Sequence, residues 1–204
     1  MGSLWDILDR PIVWNMSRIG LDLAFGLYRK RERIMRDSGF LDGNPSILDI
    51  GCGIGQFSAL TTGRYLGIDM NRRYIDYAQS RPRRDNVSFR CGDVTELVDE
   101  GEMFDIVLLV DILHHIPDEP VVKLLNTASK LARRCVINFE PITEQTNALG
   151  TWLIENDRGD YIRPLNELFG LYARPEANVS ILRSQPIKAG PLTGRTLFSR
   201  GANT

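Results

Sequence analysis

Ile47-Leu48-Asp49-Ile50-Gly51-Cys52-Gly53-Ile54-Gly55-Gln56-Phe57 is the stretch from which the fold is read. An apolar segment runs into a cluster of glycines, and apolar patterning resumes at once. That pattern predicts a buried strand, a tight turn and a helix near 55–60. Glycines let the backbone approach a ligand that a Cβ would push away. A helix after the turn offers unpaired N–H groups and the positive end of its dipole. The stretch therefore reads as a nucleotide-type site, with the acidic Asp49 two places before the first glycine.

Strands and helices alternate on either side of it. Residues 46–50, 65–69, 87–91, 104–110 and 135–139 read as strands, the fourth nearly all apolar, as a central parallel strand buried on both faces should be. Helices are expected over 72–79, capped by Asn71, and over 121–132, with shorter ones at 146–156 and 163–170. Residues 179–185 and 194–200 alternate as an antiparallel pair. The expected architecture is α/β: one Rossmann-like, doubly wound domain over 45–204 with an insertion at about 141–175. Residues 1–44 are expected to form a helical cap or lid.

Composition narrows the function classes. The chain has 204 residues, enough for one such domain with a real core. A net charge of −1 gives no global basic field for nucleic acid. Cys52, Cys91 and Cys135 lack C-x-x-C spacing and read as free thiols of a reducing compartment. His114 and His115 are adjacent, which is poor geometry for a metal, so no metal site is expected. No signal sequence or membrane span is read, so the expected location is cytoplasmic. The aromatic, apolar and then basic character of residues 1–36 also suits peripheral contact with a membrane surface.

The carboxyl ends of four successive predicted strands carry the glycine turn, Asp69, Asp93, and Asp111 followed by His114-His115. Ligands of open α/β sheets bind outside those ends. Ile47 through Gly55, Asp105-Ile106-Val107 and His114-His115-Ile116-Pro117-Asp118 together resemble the class I methyltransferases that use S-adenosylmethionine. The resemblance covers about residues 45–140. It implies a mostly parallel seven-stranded sheet with an antiparallel last strand. It also implies that Asp49, Gly51 and Gly53 surround the methionine part of the cofactor, with Cys52, Gly55 and Phe57 completing that stretch. Taken by themselves, Cys52 and Phe57 read as packing residues. Asp69 would accept both ribose hydroxyls, Met70 would pack on adenine, and Asp93 and the Val94 N–H would read the adenine edge. Val110 and Asp111 would lie beside the amino-acid end.

The residue types suit that cofactor, which has no phosphate and carries cationic groups, so the turn needs no lysine. His115 and Asp111 are the candidate general bases, against the reading that the histidines only hold the loop or touch the cofactor through backbone. The acceptor is expected to be a small metabolite or natural product, methylated at O, N or C, with a lipid or quinone as the alternative. Trp14, Tyr28, Trp152, Tyr161 and Arg163 are the candidate acceptor contacts. No nucleic-acid partner is expected, and the chain is expected to be a monomer or homodimer. Other classes left open are a nicotinamide oxidoreductase and a cofactor-binding partner without turnover.

Overall fold

The computed structural model describes residues 19–20, 22–157 and 159–202. The start of the expected cap, including Trp14, lies outside the described residues. Helix α1 (Leu27–Asp37) precedes β1 (Ile47–Ile50), β2 (Tyr65–Asp69), α2 (Arg72–Ser80), β3 (Val87–Cys91) and a short α3 (Thr95–Asp99). Then come β4 (Phe104–Val110), α4 (Asp118–Leu131), β5 (Ala132–Pro141), α5 (Ala148–Glu155) and α6 (Leu165–Ala173). The hairpin of β6 (Val179–Ala189) and β7 (Leu192–Gly201) closes the chain.

The strands form one seven-stranded sheet in the order β3-β2-β1-β4-β5-β7-β6. The first five run parallel, and β7 inserts antiparallel between β5 and β6. Strand order reverses beside β1, so the crevice between β1 and β4 is the switch point where such sheets bind ligands. Every residue of β1 is buried, because successive side chains enter opposite layers. Leu48 and Ile50 join the layer covered by α4 through Val121, Val122, Leu125 and Ala128. Ile47 enters the other layer, which α1 covers with Leu27, Tyr28 and Met35. Helices on both faces make the fold doubly wound.

Several local expectations change. The segment after the glycine turn is a run of tight turns, not a helix. Its N–H groups bond three residues back, from Gly55 to Cys52, Ser58 to Gly55 and Leu60 to Phe57. Positive φ at Gly51, Gly53 and Gly55 interrupts the right-handed helical path. α6 runs through Gly170 instead of ending there, since Leu168, Leu171 and Tyr172 hold it on the core. It stops just ahead of Pro175, as the residue before a proline is pushed out of the helical region. Asn71 does cap α2, accepting from the Arg73 N–H at 3.0 Å.

Candidate active site

The crevice above β1 and β4 is a cavity of about 720 Å³. Its floor is the glycine turn. Gly51 and Cys52 donate backbone N–H groups to the Ile68 carbonyl at 2.8 and 3.1 Å, tying the turn to β2. Gly51 has φ +68°, and a Cβ there would stand 2.6 Å from Ile112 Cδ1. Gly55 serves a different purpose: a Cβ there would stand 2.3 Å from the Phe89 ring. It does not line the cavity, and neither do Cys52 or Phe57. Cys52 is buried beside Gly67, and burial pushes its thiol well above the usual range, with the Asp49 and Asp69 charges adding to the rise. Phe57 packs near Tyr28, with ring centroids 6.2 Å apart.

One side of the cavity is acidic. Asp69 accepts the Gly53 N–H on one oxygen and the Asn71 N–H on the other, each at 2.8 Å. Each oxygen keeps further lone-pair capacity. Met70 stands on the rim, 80% exposed. Asp93 accepts the Thr95 N–H and hydroxyl on one oxygen, both at 2.8 Å. Val94 and Val110 line the wall beside these groups.

Asp49 stands apart. It is 1% exposed, lies behind the turn, and is not part of the cavity lining. The Tyr65 hydroxyl donates to it at 2.5 Å. Burial pushes its carboxyl up to about 7, against the Tyr65 hydrogen bond and with help from the Asp69 charge.

The opposite side centres on the loop after β4. Asp111 holds φ +55°, a left-handed conformation uncommon for a non-glycine residue. Both of its carboxylate oxygens accept from Arg31 of α1, one of them at 2.6 Å. Arg31 is 5% exposed, and its guanidinium lies 5.3 Å from the Tyr28 ring centroid.

Glu140, buried at the end of β5, gathers the rest of that loop. One oxygen accepts the N–H groups of Ile112 and Leu113 at 3.1 and 2.9 Å and the Asn138 amide at 3.2 Å. The other accepts the His114 N–H at 3.2 Å and its Nδ1 at 2.7 Å. Burial opposes ionisation of both groups, and their mutual attraction outweighs it. Glu140 is held below the usual carboxylate range and His114 is raised above its ordinary 6.5. Each partner therefore favours the charged form of the other. His114 also holds the segment beyond α5: its carbonyl accepts the Tyr161 N–H at 3.0 Å, and its Nε2 lies 3.6 Å from Asp157. His115 is exposed, lines the cavity, and has its ring centroid 4.1 Å from that of His114.

Of the candidate acceptor contacts, Tyr28 lines the cavity. Trp152 is 57% exposed and does not line the cavity, while its neighbours Leu153 and Ile154 do. Tyr161 and Arg163 also lie off the cavity lining. Arg163 is a strut: it donates to the carbonyls of Leu113, Ile116 and Tyr161 and to Asp118, at 2.6–2.9 Å. Sequence reasoning missed Arg31, Glu140, Leu153, Ile154, Ile187 and Leu192. A signal existed for Arg31, which lies on the same helical face as Leu27, Tyr28 and Met35 despite its charge. Among the described residues, no helix is long and apolar enough to cross a membrane. No group of His, Cys, Asp or Glu among them could hold a metal ion.

Residues 47–134 match the family model described as a methyltransferase domain. A ubiquinone biosynthesis O-methyltransferase of Coxiella burnetii is 31% identical over 77 residues, 35% of this chain and 33% of that protein. The chain thus matches about a third of the length of that relative. Among solved structures, magnesium protoporphyrin IX methyltransferase from Synechocystis PCC 6803, with bound SAH, superposes with a TM-score of 0.63 at 18% identity. That match covers 86% of this chain and 85% of the other. An N,N-8-amino-8-demethyl-D-riboflavin dimethyltransferase from Streptomyces davawensis gives 0.68 at 18% identity, covering 98% and 62%. The sheet order and the antiparallel strand are those of the class I fold.

Proposed function

We infer that this chain, whose residues 47–134 match a methyltransferase domain and whose sheet has the class I order, transfers a methyl group from S-adenosylmethionine to an O, N or C atom of a small molecule. The observation that carries the reading is the acidic side of the cavity. Asp69 and Asp93 end adjacent strands beside a glycine turn that holds no lysine or arginine. That donor set suits a nucleoside without phosphate and with cationic charge, and the glycine turn leads into tight turns instead of the helix N-terminus that holds a dinucleotide's pyrophosphate.

Asp69 would accept the ribose hydroxyls with its remaining lone pairs. Asp93, with one oxygen committed to Thr95, would offer the other to the adenine amino group, and Val94 and Met70 would flank the ring. Gly51, Gly53 and Asp111 would meet the amino-acid end. When bound, the cofactor supplies a methyl group on a positively charged sulfur, already activated for displacement. The protein's part is then chiefly alignment of acceptor and donor. Asp111 has both oxygens engaged by Arg31, so His115, exposed to the cavity, is the better placed general base for an acidic acceptor proton.

The acceptor side is built from segments flanking the domain. Leu27 and Tyr28 of α1, Leu153 and Ile154 of α5, and Ile187 and Leu192 of the hairpin form an apolar wall. The segment before 45 would act as a cap, and the stretch of about 141–175 as the facing wall. An acceptor with a substantial apolar part fits. Three free thiols suit a reducing compartment such as the cytoplasm.

A second reading, methylation of a lipid or quinone at a membrane surface, is favoured by the exposed Leu23, Leu149 and Trp152 near this wall. The ubiquinone-pathway relative points the same way. Calorimetry with S-adenosylhomocysteine and NAD separates transferase from oxidoreductase: binding of NAD alone overturns the reading. Labelled S-adenosylmethionine with host extract then identifies the acceptor, and no labelled product leaves only a binding protein. Failure to sediment with anionic vesicles at low salt excludes the membrane version.

A further inference from the structure

The turn that floors the cavity rests on a buried acid that touches neither solvent nor the cavity. Asp49 shares its layer of the sheet with Ile47, Phe57, Tyr65, Leu108 and Val110, all apolar or aromatic. The titratable groups that act on it or feel its charge are the Tyr65 hydroxyl, the Asp69 carboxylate at the end of the same strand and the Cys52 thiol in the turn. β4 sets Leu108 opposite it, and β2 sets Gly67. α1 faces this layer with Met35 and with buried Arg31, whose guanidinium is engaged by Asp111. An isolated carboxylate in such a place costs more than it recovers, so it takes up a proton instead. The hydroxyl of Tyr65 supports the charged form, and Asp69 opposes it.

Directly above lie Gly51 and Gly53, which line the cavity, and Asp69, which binds the Gly53 N–H. A positive charge entering there is the counter-charge that Asp49 lacks. We propose that Asp49 is a specificity-determining residue that senses ligand charge: it holds a proton in the absence of ligand and releases it to solvent when a cationic methyl donor binds. The spent thioether product has lost the sulfonium charge, so Asp49 recovers its proton and the product is held less firmly. This rests on the methyltransferase reading. It assigns Asp49 an effect on donor against product without direct contact with either.

A group titrating near 7 is about nine-tenths protonated at pH 6 and about one-tenth at pH 8. Donor affinity should rise by several-fold, up to about tenfold, across that range, and product affinity by less. The test is calorimetry of S-adenosylmethionine and S-adenosylhomocysteine at pH 6, 7 and 8, each in two buffers of different ionisation enthalpy. Asp49→Asn subtracts the protons of the ligands' own amino groups. Wild type should release up to about one proton more than Asp49→Asn on binding the donor at pH 6, and clearly less on binding the product. Tyr65→Phe removes the hydrogen bond that favours the charged form, so its release should persist to higher pH even if Asp49→Asn folds poorly. Equal proton counts for donor and product, or for wild type and Asp49→Asn, overturn the proposal alone. If neither ligand binds the wild type, the methyltransferase reading falls and the proposal falls with it.

Discussion

Arg31 and Asp111 stand 80 residues apart in the chain and meet as a forked ion pair in the cavity wall. The contact joins α1, which lies outside the matched domain, to the end of the central strand β4. Asp111 makes this pair from a left-handed backbone conformation. One planar cation thus ties α1 to a carboxylate at the site.

Breaking that pair should loosen the protein. Arg31→Ala leaves Asp111 without its partner and removes the guanidinium from the Tyr28 ring. Asp111 keeps about a quarter of its side-chain exposure, so the cost belongs at the low end of the range for buried pairs, about 3 kcal/mol. Urea unfolding measures it. Arg31→Lys keeps the charge without the fork and should cost less.

The Glu140–His114 pair should give the protein a stability maximum in mildly acidic solution. His114 is raised, so its contribution is complete below its ordinary 6.5 and is lost as pH climbs through its folded value. Glu140 is lowered, so its contribution is complete above its ordinary 4.5 and is lost as pH falls through its folded value. Between those two values both contributions are whole. Thermal unfolding across pH 3–9 should show Glu140→Gln less stable by about 3 kcal/mol in that window, with a flatter profile. Hydrogen exchange of the Ile112 to His114 amides should accelerate in the same variant.

The two glycines should fail differently. Gly55→Ala forces a methyl into the Phe89 ring at positive φ, so the loss is of stability, about 2–4 kcal/mol. Gly51→Ala meets the end of the flexible Ile112 side chain, which can swing aside into the cavity. Its stability loss should be nearer 1–2 kcal/mol from the backbone, with the larger effect on S-adenosylhomocysteine affinity. Thermal unfolding and calorimetry on both variants separate the outcomes.

Asp69→Asn retains one acceptor oxygen where two now serve the Gly53 and Asn71 N–H groups and, on the reading above, the ribose. A lost charged hydrogen bond at about 1.5–3 kcal/mol corresponds to a drop of ten- to a hundredfold or more in S-adenosylhomocysteine affinity. Met70→Ala, on the exposed rim, should change affinity by only a few-fold. Equal losses in the two variants would count against Asp69 as the ribose acceptor.

The chain by itself determined the central frame. Apolar runs of strand length, turn residues and strand-end acids are local patterns. They marked β1 to β4 within a residue or so and set Asp69, Asp93 and Asp111 on one edge of the sheet. The helix expected after the glycine turn failed because three positive-φ glycines override the apolar periodicity that suggested it. Tertiary structure alone decided which polar groups meet. Arg31 finds Asp111, Glu140 finds His114, Arg163 becomes a strut and Asp49 turns away from the cavity, because strand order and sheet face choose partners that no spacing along the chain records. A carboxylate two places before a glycine turn has the same sequence whether it meets a ligand or a buried tyrosine. The face of β1 on which Asp49 lies, among apolar side chains and beneath the turn, selected the tyrosine.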